Sequence, residues 1–173
     1  MVKLFLTNKQ RRILMNTNVK TSENVEVNYT LPVVKIARMS DKIVMPKQAH
    51  DTDAGFDLSS TTRVDIPPGC SMLVGTGLRM EIPIGWCGQI NPRSGLASKY
   101  QVVVGARVID AAYRGELMIN LINNGPEVFE VVEGMRVAQI LFLPVLTSVV
   151  EVSEDELSDT IRGQGGFGSS GDK

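Results

Sequence analysis

Gln101-Val102-Val103-Val104-Gly105-Ala106-Arg107-Val108-Ile109-Asp110 is nearly continuous in β-branched residues, the composition of a strand buried on both faces. The run ends on a carboxylate and passes through Ala111-Ala112-Tyr113-Arg114 to a glycine at Gly115. A carboxylate at the end of an apolar strand is either a turn residue or a general base. This segment alone leaves both readings open.

Working outward, the same pattern repeats. Residues 116–122 form the next apolar run, and Asn123-Asn124-Gly125-Pro126 turns the chain so that residues 128–132 pair back. Residues 137–150 supply at least one more strand. Upstream, strands are predicted over 32–38, 63–66 before Pro67-Pro68-Gly69, 71–78, 79–82 before Pro83, and 85–90, which holds the only tryptophan. One short helix is predicted at Leu96-Ala97-Ser98-Lys99-Tyr100, following Pro92-Arg93-Ser94-Gly95. A weaker helical start lies at Ser153, with Glu156 placed for a capping box. Many short strands at close spacing indicate an all-β sandwich or a barrel-like Greek key.

Composition fits one soluble domain. The chain has 173 residues, 43% hydrophobic and 21% charged, with 16 Gly and 8 Pro to serve many turns. A formal charge of −1 argues against a general nucleic-acid binder, which would be basic and clustered. No run reaches the roughly eighteen apolar residues of a membrane span. Cys70 and Cys87 have no CxxC partner and read as lone thiols in a reducing cytoplasm. A single histidine, His50, gives no basis for a histidine-ligated zinc site. Residues 1–30 carry Lys3, Lys9, Arg11, Arg12 and Lys20 with no acid before Glu23. They read as an extension of unassigned role: an extra strand, a loose arm or a targeting peptide.

Four further segments could carry chemistry. Asp53-Ala54-Gly55-Phe56-Asp57-Leu58 sets two carboxylates on a glycine turn, for capping or for a water-mediated Mg²⁺ contact. Pro92-Arg93-Ser94-Gly95 places a cation, a hydroxyl and a glycine before the helix, which makes either an anion site or a plain N-cap. Gln139 is an amide within an apolar strand, so it either ties the core or reaches a ligand. Gly163-Gln164-Gly165-Gly166-Phe167-Gly168 matches GxGxxG in form, but a dinucleotide fold needs a helix and an acid about twenty residues on. A glycine-rich arm with Arg162 and one aromatic can instead close over a phosphate and a planar base.

Taken together and in order, these five segments resemble the homotrimeric deoxyuridine triphosphatases (dUTPases), over residues 31–173. The resemblance implies a distorted jelly-roll or β-barrel-like domain at 31–152, an N-terminal extension at 1–30 and a mobile C-terminal arm at 153–173. It implies hydrolysis of dUTP to dUMP and pyrophosphate, which limits uracil in DNA and supplies dUMP for thymidylate synthesis. Asp110 would be the general base for the water attacking the α-phosphorus. Tyr113 would lie under the deoxyribose, with Val104, Val108, Ile109 and Met118 walling the uracil. Arg93, Ser94, Gly95 and Gln139 would hold the phosphates, and Asp57 would contact Mg²⁺ through water while the ion sits mainly on the phosphates. Phe167 would stack on the base beside Gly168, and Arg162 would reach the γ-phosphate. Each site would draw on three subunits of a cytoplasmic homotrimer, with no nucleic-acid or membrane partner.

Two positions depart from the family pattern. Arg107 stands where glycine is more usual, and Met135 where Asp is common. A dCTP deaminase of the same fold is the enzymatic rival, although Ala111-Ala112-Tyr113 follows Asp110 where a Pro-Gly-Phe-like segment would be expected. A protein-binding regulator that kept the fold is the non-enzymatic rival.

Overall fold

The computed structural model describes residues 18–20, 26–28 and 32–166. Its strands, in chain order, are β1 (Asn18–Lys20), β2 (Glu26–Asn28), β3 (Lys35–Arg38), β4 (Phe56–Ser59), β5 (Val64–Ile66), β6 (Ser71–Gly75), β7 (Leu78–Glu81) and β8 (Trp86–Pro92). Helix α1 (Ser94–Tyr100) follows, then β9 (Val102–Val104), β10 (Val108–Ile109), β11 (Met118–Asn123), β12 (Phe129–Val131) and β13 (Arg136–Pro144). The strands form open antiparallel sheets: β10-β8-β13-β4, β6-β11-β9, and the pairs β12-β5, β3-β7 and β1-β2. Among the described residues this is a distorted jelly roll with one short α-helix.

The core follows from alternation. In β11, Ile119, Leu121 and Asn123 point inward while Met118, Asn120 and Ile122 are only half-buried. Leu58, Ile66, Val74, Leu78, Ile90, Val131, Val137 and Ile140 are among the other buried side chains of this core. At the β3–β7 edge the Lys35 ammonium donates to Glu81 at 2.7 Å. That hydrogen bond, and the lysine charge with it, holds the Glu81 carboxyl below its ordinary range.

Several sequence expectations are corrected. The 101–109 run is two strands in different sheets, broken at Gly105, and Val108 is 65% exposed rather than buried. Gly105 brings its backbone close to Asn120, whose Cγ would lie 3.0 Å from an added Cβ. Residues 71–78 likewise split in two at Gly77, where φ is +66° and only glycine sits without strain. The helix begins at Ser94, two residues earlier than expected, and ends where Gln101 turns left-handed with φ 56°. The start at Ser153 yields a single 3-10 turn, Glu154–Glu156, whose Glu156 carboxylate accepts from both the Ser153 amide and hydroxyl.

The largest difference is at Asn123. β12 does not pair back on β11; it pairs with β5, with Phe129 opposite Ile66. The buried Asn123 amide explains the crossing. It donates to Ile66 O at 2.8 Å and to Glu127 O at 2.7 Å, and its oxygen accepts from Gly125 N at 2.9 Å. A side chain thus stitches the turn to the other sheet. Asn123→Ala would leave two carbonyls and an amide without these partners, at a cost of about 2–4 kcal/mol. Thermal unfolding at fixed protein concentration should show Tm falling by roughly 10 °C; an unchanged Tm would mean that β12 is held by its packing alone.

Candidate active site

The pleat of the four-stranded sheet builds the first half of the site. Directly paired residues point to one face, and β13 pairs Gln139 with Asp57 of β4 on one side and with Asn91 of β8 on the other. The next rung on that face is Leu141, Gln89 and Val108. A cleft of about 940 Å³ opens over these rungs and over the start of α1, with Asp57, Gln89, Asn91, Gln139, Leu141, Arg93, Ser94 and Gly95 in its walls.

Asp57 fixes the polar end of this cleft. Its two carboxylate oxygens accept from Arg93 Nε at 3.1 Å and from Arg136 at 2.9 Å. Its side chain is 16% exposed, so water screens the group only partly. Arg93 also donates to the Arg136 carbonyl at 3.2 Å. Asp53 takes the plainer role instead, accepting from the His50 amide at 2.9 Å and closing a turn. Gln139 donates to Pro92 O at 3.0 Å, which ties β13 to the segment leading into the helix. Gly55 makes this possible, because a Cβ there would overlap the Gln139 amide, 3.0 Å from its Cδ.

Ser94 is not the N-cap. Arg93 occupies that position without a side-chain cap, and Ser94 is the first helical residue with an exposed hydroxyl. The first amides of a helix have no intrahelical acceptor. At Gly95 an added Cβ would meet nothing within 4 Å, so no neighbour in the chain demands glycine there.

The second half of the site is a smaller pocket of about 170 Å³, lined by Val108, Ile109, Asp110, Tyr113 and Met118. It shares no residue with the larger cleft. Asp110 is exposed, just past the end of β10, and its carbonyl accepts from the Tyr113 amide at 3.1 Å. The Tyr113 hydroxyl donates to Glu116 O at 2.8 Å, which folds the ring back over Gly115. A Cβ on Gly115 would overlap the phenol, 2.7 Å from its Cζ. Arg114 donates to the carbonyls of Ala111 and Tyr113 at 2.6 and 2.8 Å and braces the turn.

Of the site residues expected from sequence, Arg93, Ser94, Gly95, Gln139 and Asp57 meet in one cleft, and Val108, Ile109, Asp110, Tyr113 and Met118 in the other. Val104 joins neither. It is buried opposite Leu121, so only its backbone is left for a ligand. Arg162 donates to Gly165 O at 2.8 Å within its own exposed tail. Phe167 and Gly168 lie outside the described residues. Sequence reasoning passed over Gln89 and Asn91, whose signal is the polar–apolar alternation of Gln89-Ile90-Asn91. It also passed over the Arg136 partner of Asp57, for which no local signal exists.

Among the described residues no three His, Cys, Asp or Glu side chains converge as metal ligands. Asp57 and Asp53 are the acids lining the larger cleft. Such a donor set suits an ion carried on phosphate oxygens and touched through water, not one held in a protein cage.

Comparison with known proteins supplies the context. A dUTPase family model matches residues 41–171. The deoxyuridine 5'-triphosphate nucleotidohydrolase of Crocosphaera subtropica is 50% identical over 140 residues, which is 80% of this chain and 98% of that protein. The enzyme of the same name from Solanum lycopersicum is 42% identical over 144 residues, 83% of this chain and 85% of its own. Among solved structures, the dUTPase of Staphylococcus bacteriophage 80alpha with dUPNHPP superposes with a TM-score of 0.75 at 29% identity, covering 80% of this chain and 98% of that one. A mutant dUTPase from phage phi11 of S. aureus, described with a structural Mg(II) ion, gives 0.64 at 28% identity over 70% of this chain and 97% of its own. With this family model and these relatives, the chain belongs to the dUTPase family.

Proposed function

We infer that this protein hydrolyses dUTP to dUMP and pyrophosphate, with Asp110 activating water for attack on the α-phosphorus. The observation that carries the reading is the small pocket, where one carboxylate shares its wall with the braced ring of Tyr113. An ionised carboxylate there can take a proton from water as the oxygen–phosphorus bond forms. The bond to the bridging oxygen breaks, and pyrophosphate leaves.

Each wall then has a task. Uracil sits against Val108, Ile109 and Met118, read by backbone groups of the hairpin as a strand reads its neighbour. Cytosine inverts that hydrogen-bond pattern and leaves buried groups unpaired. The deoxyribose lies on Tyr113, where a 2′-hydroxyl has no room. Arg93, Ser94, Gly95 and Gln139 take the phosphate chain, and the open space around Gly95 allows a phosphate to approach the helix amides. Magnesium, contacted through water by Asp57, would neutralise phosphate charge and orient the chain.

The two clefts share no residue, and the tail beyond β13 leaves its own body with Leu146, Val149 and Val150 almost fully exposed. Both features support a homotrimer in which the base pocket of one copy faces the phosphate cleft of the next. The arm from residue 153, with Arg162, Phe167 and Gly168, closes from a neighbouring copy, and residues 1–30 form an extension outside this machinery. The dUMP released would feed thymidylate synthesis, and removal of dUTP would keep uracil out of DNA.

A pyrophosphate-release assay with Mg²⁺ over dUTP, dCTP, dTTP and UTP should give turnover on dUTP alone; ammonia from dCTP would instead mark a deaminase. Asp110→Asn should lower kcat by about 10³-fold while dUTP still binds. Persisting hydrolysis would remove Asp110 from the role of base. Gly115→Ala, which pushes on the Tyr113 phenol, should narrow the preference for dUTP over UTP in kcat/KM by about tenfold. If that ratio does not move, the ring is not what excludes ribose.

A further inference from the structure

We propose that Arg107 is a positioning residue, clamping the strand that ends in Asp110 onto the Ile90 and Asn91 end of β8. The proposal rests on the hydrolysis inferred above and deepens it. β10 is only two residues long, paired through Val108 with Gln89 and Ile109 with Gly88. Val108 is exposed, so of this strand's two side chains only half-buried Ile109 packs against the core.

Hydrogen bonds also hold it, and Arg107 provides an extra rung. The Ile90 amide donates to the Arg107 carbonyl at 2.8 Å, as a ladder requires. The return bond of a paired rung would come from a backbone N–H. Here the guanidinium Nε donates to Ile90 O, at 2.9 Å. A terminal nitrogen of the same guanidinium donates to Asn91 Oδ1. That amide is held at its other end, where Nδ2 donates to Gln89 O at 3.2 Å. Asn91 lines the phosphate cleft and shares a rung with Gln139, which in turn holds Pro92.

One side chain therefore links the strand three residues before the acid to the strand entering Pro92-Arg93-Ser94. A lysine could not replace it, since an ammonium on a flexible stem lacks the planar fork that serves both acceptors together. Glycine, the residue more usual at this position, makes neither side-chain bond.

Full-length Arg107→Gly, Arg107→Lys, Asn91→Ala and the Arg107→Gly, Asn91→Ala double variant test this, by steady-state kinetics on dUTP and by hydrogen exchange of amides 108–113 without nucleotide. Arg107→Gly should lose about tenfold in kcat with KM within about twofold, since misplacing a reacting group slows the chemical step more than it weakens binding. Arg107→Lys should not recover that loss, and the double variant should be no slower than Arg107→Gly. Exchange at 108–113 should quicken in both Arg107 variants. Wild-type kcat in Arg107→Gly or Arg107→Lys, or additive losses in the double variant, would overturn the proposal. If Arg107→Gly does not fold, the lysine and asparagine variants decide the matter by the same criteria. If the wild-type protein leaves dUTP intact, the function assigned above falls, whereas unchanged exchange in the variants overturns the clamp itself.

Discussion

One carboxylate shared by two guanidiniums organises the polar end of the larger cleft. Asp57 lies on β4, Arg136 opens β13 and Arg93 ends the approach to α1, so three segments distant in sequence converge on one group. On the half-exposed Arg136 side the gain in stability is modest, about 0.2–1 kcal/mol as for exposed ion pairs. The larger consequence is for charge and geometry. One carboxylate against two guanidiniums leaves the cluster with a net positive charge beside the cleft, where Lys99 and Asp53 also lie on the wall with opposite charges. A polyanionic ligand would meet a cationic surface whose arginines are already oriented, and little ordering would remain at the moment of binding.

The strands were legible because alternation is a strong signal, and each predicted apolar run contains at least part of a real strand. What alternation does not report is where a run breaks. Residues 101–109 read as one buried strand because β-branched side chains continue through both halves, while the chain stays on β11 through Gly105 and only then crosses to β8. The turn at Asn123 was legible as a turn, but not as a crossing. Asn124-Gly125 beside apolar runs is the usual hairpin signal, and here the preceding Asn123 side chain spends its three hydrogen bonds joining two sheets. The site divides along the same line. Asp110 and Tyr113 lie three residues apart on one turn, so their company shows in sequence. The Asp57–Arg136 contact, 79 positions apart, comes only from register.

The glycines of this chain answer to different demands. Gly55 and Gly115 do not have positive φ; each vacates the space that one neighbouring side chain occupies, Gln139 in the first case and Tyr113 in the second. Gly77, outside the motifs, combines both demands, with positive φ and Ile43 close by. Loss of Gly55 or Gly115 would thus act through the side chain it displaces, with the backbone little altered. The functional residues are held by absences of Cβ as much as by hydrogen bonds.

The tail raises the opposite question, since it carries apolar side chains that nothing in its own body covers. Leu146, Val149, Val150, Leu157 and Ile161 are all exposed, whereas the strand just before them is mostly buried through Ile140. Burying a side chain of this kind is worth about 1.5–3 kcal/mol, so five left in water forgo more than most single interactions in the fold supply. A flexible linker could use polar residues and avoid the penalty. Apolar residues spaced along an extended strap are economical only if another surface receives them, and in the proposed trimer that surface belongs to the next copy. On this view assembly and catalysis are one constraint: the contacts that hide the strap also deliver Arg162 toward a site that a single chain leaves divided between two clefts.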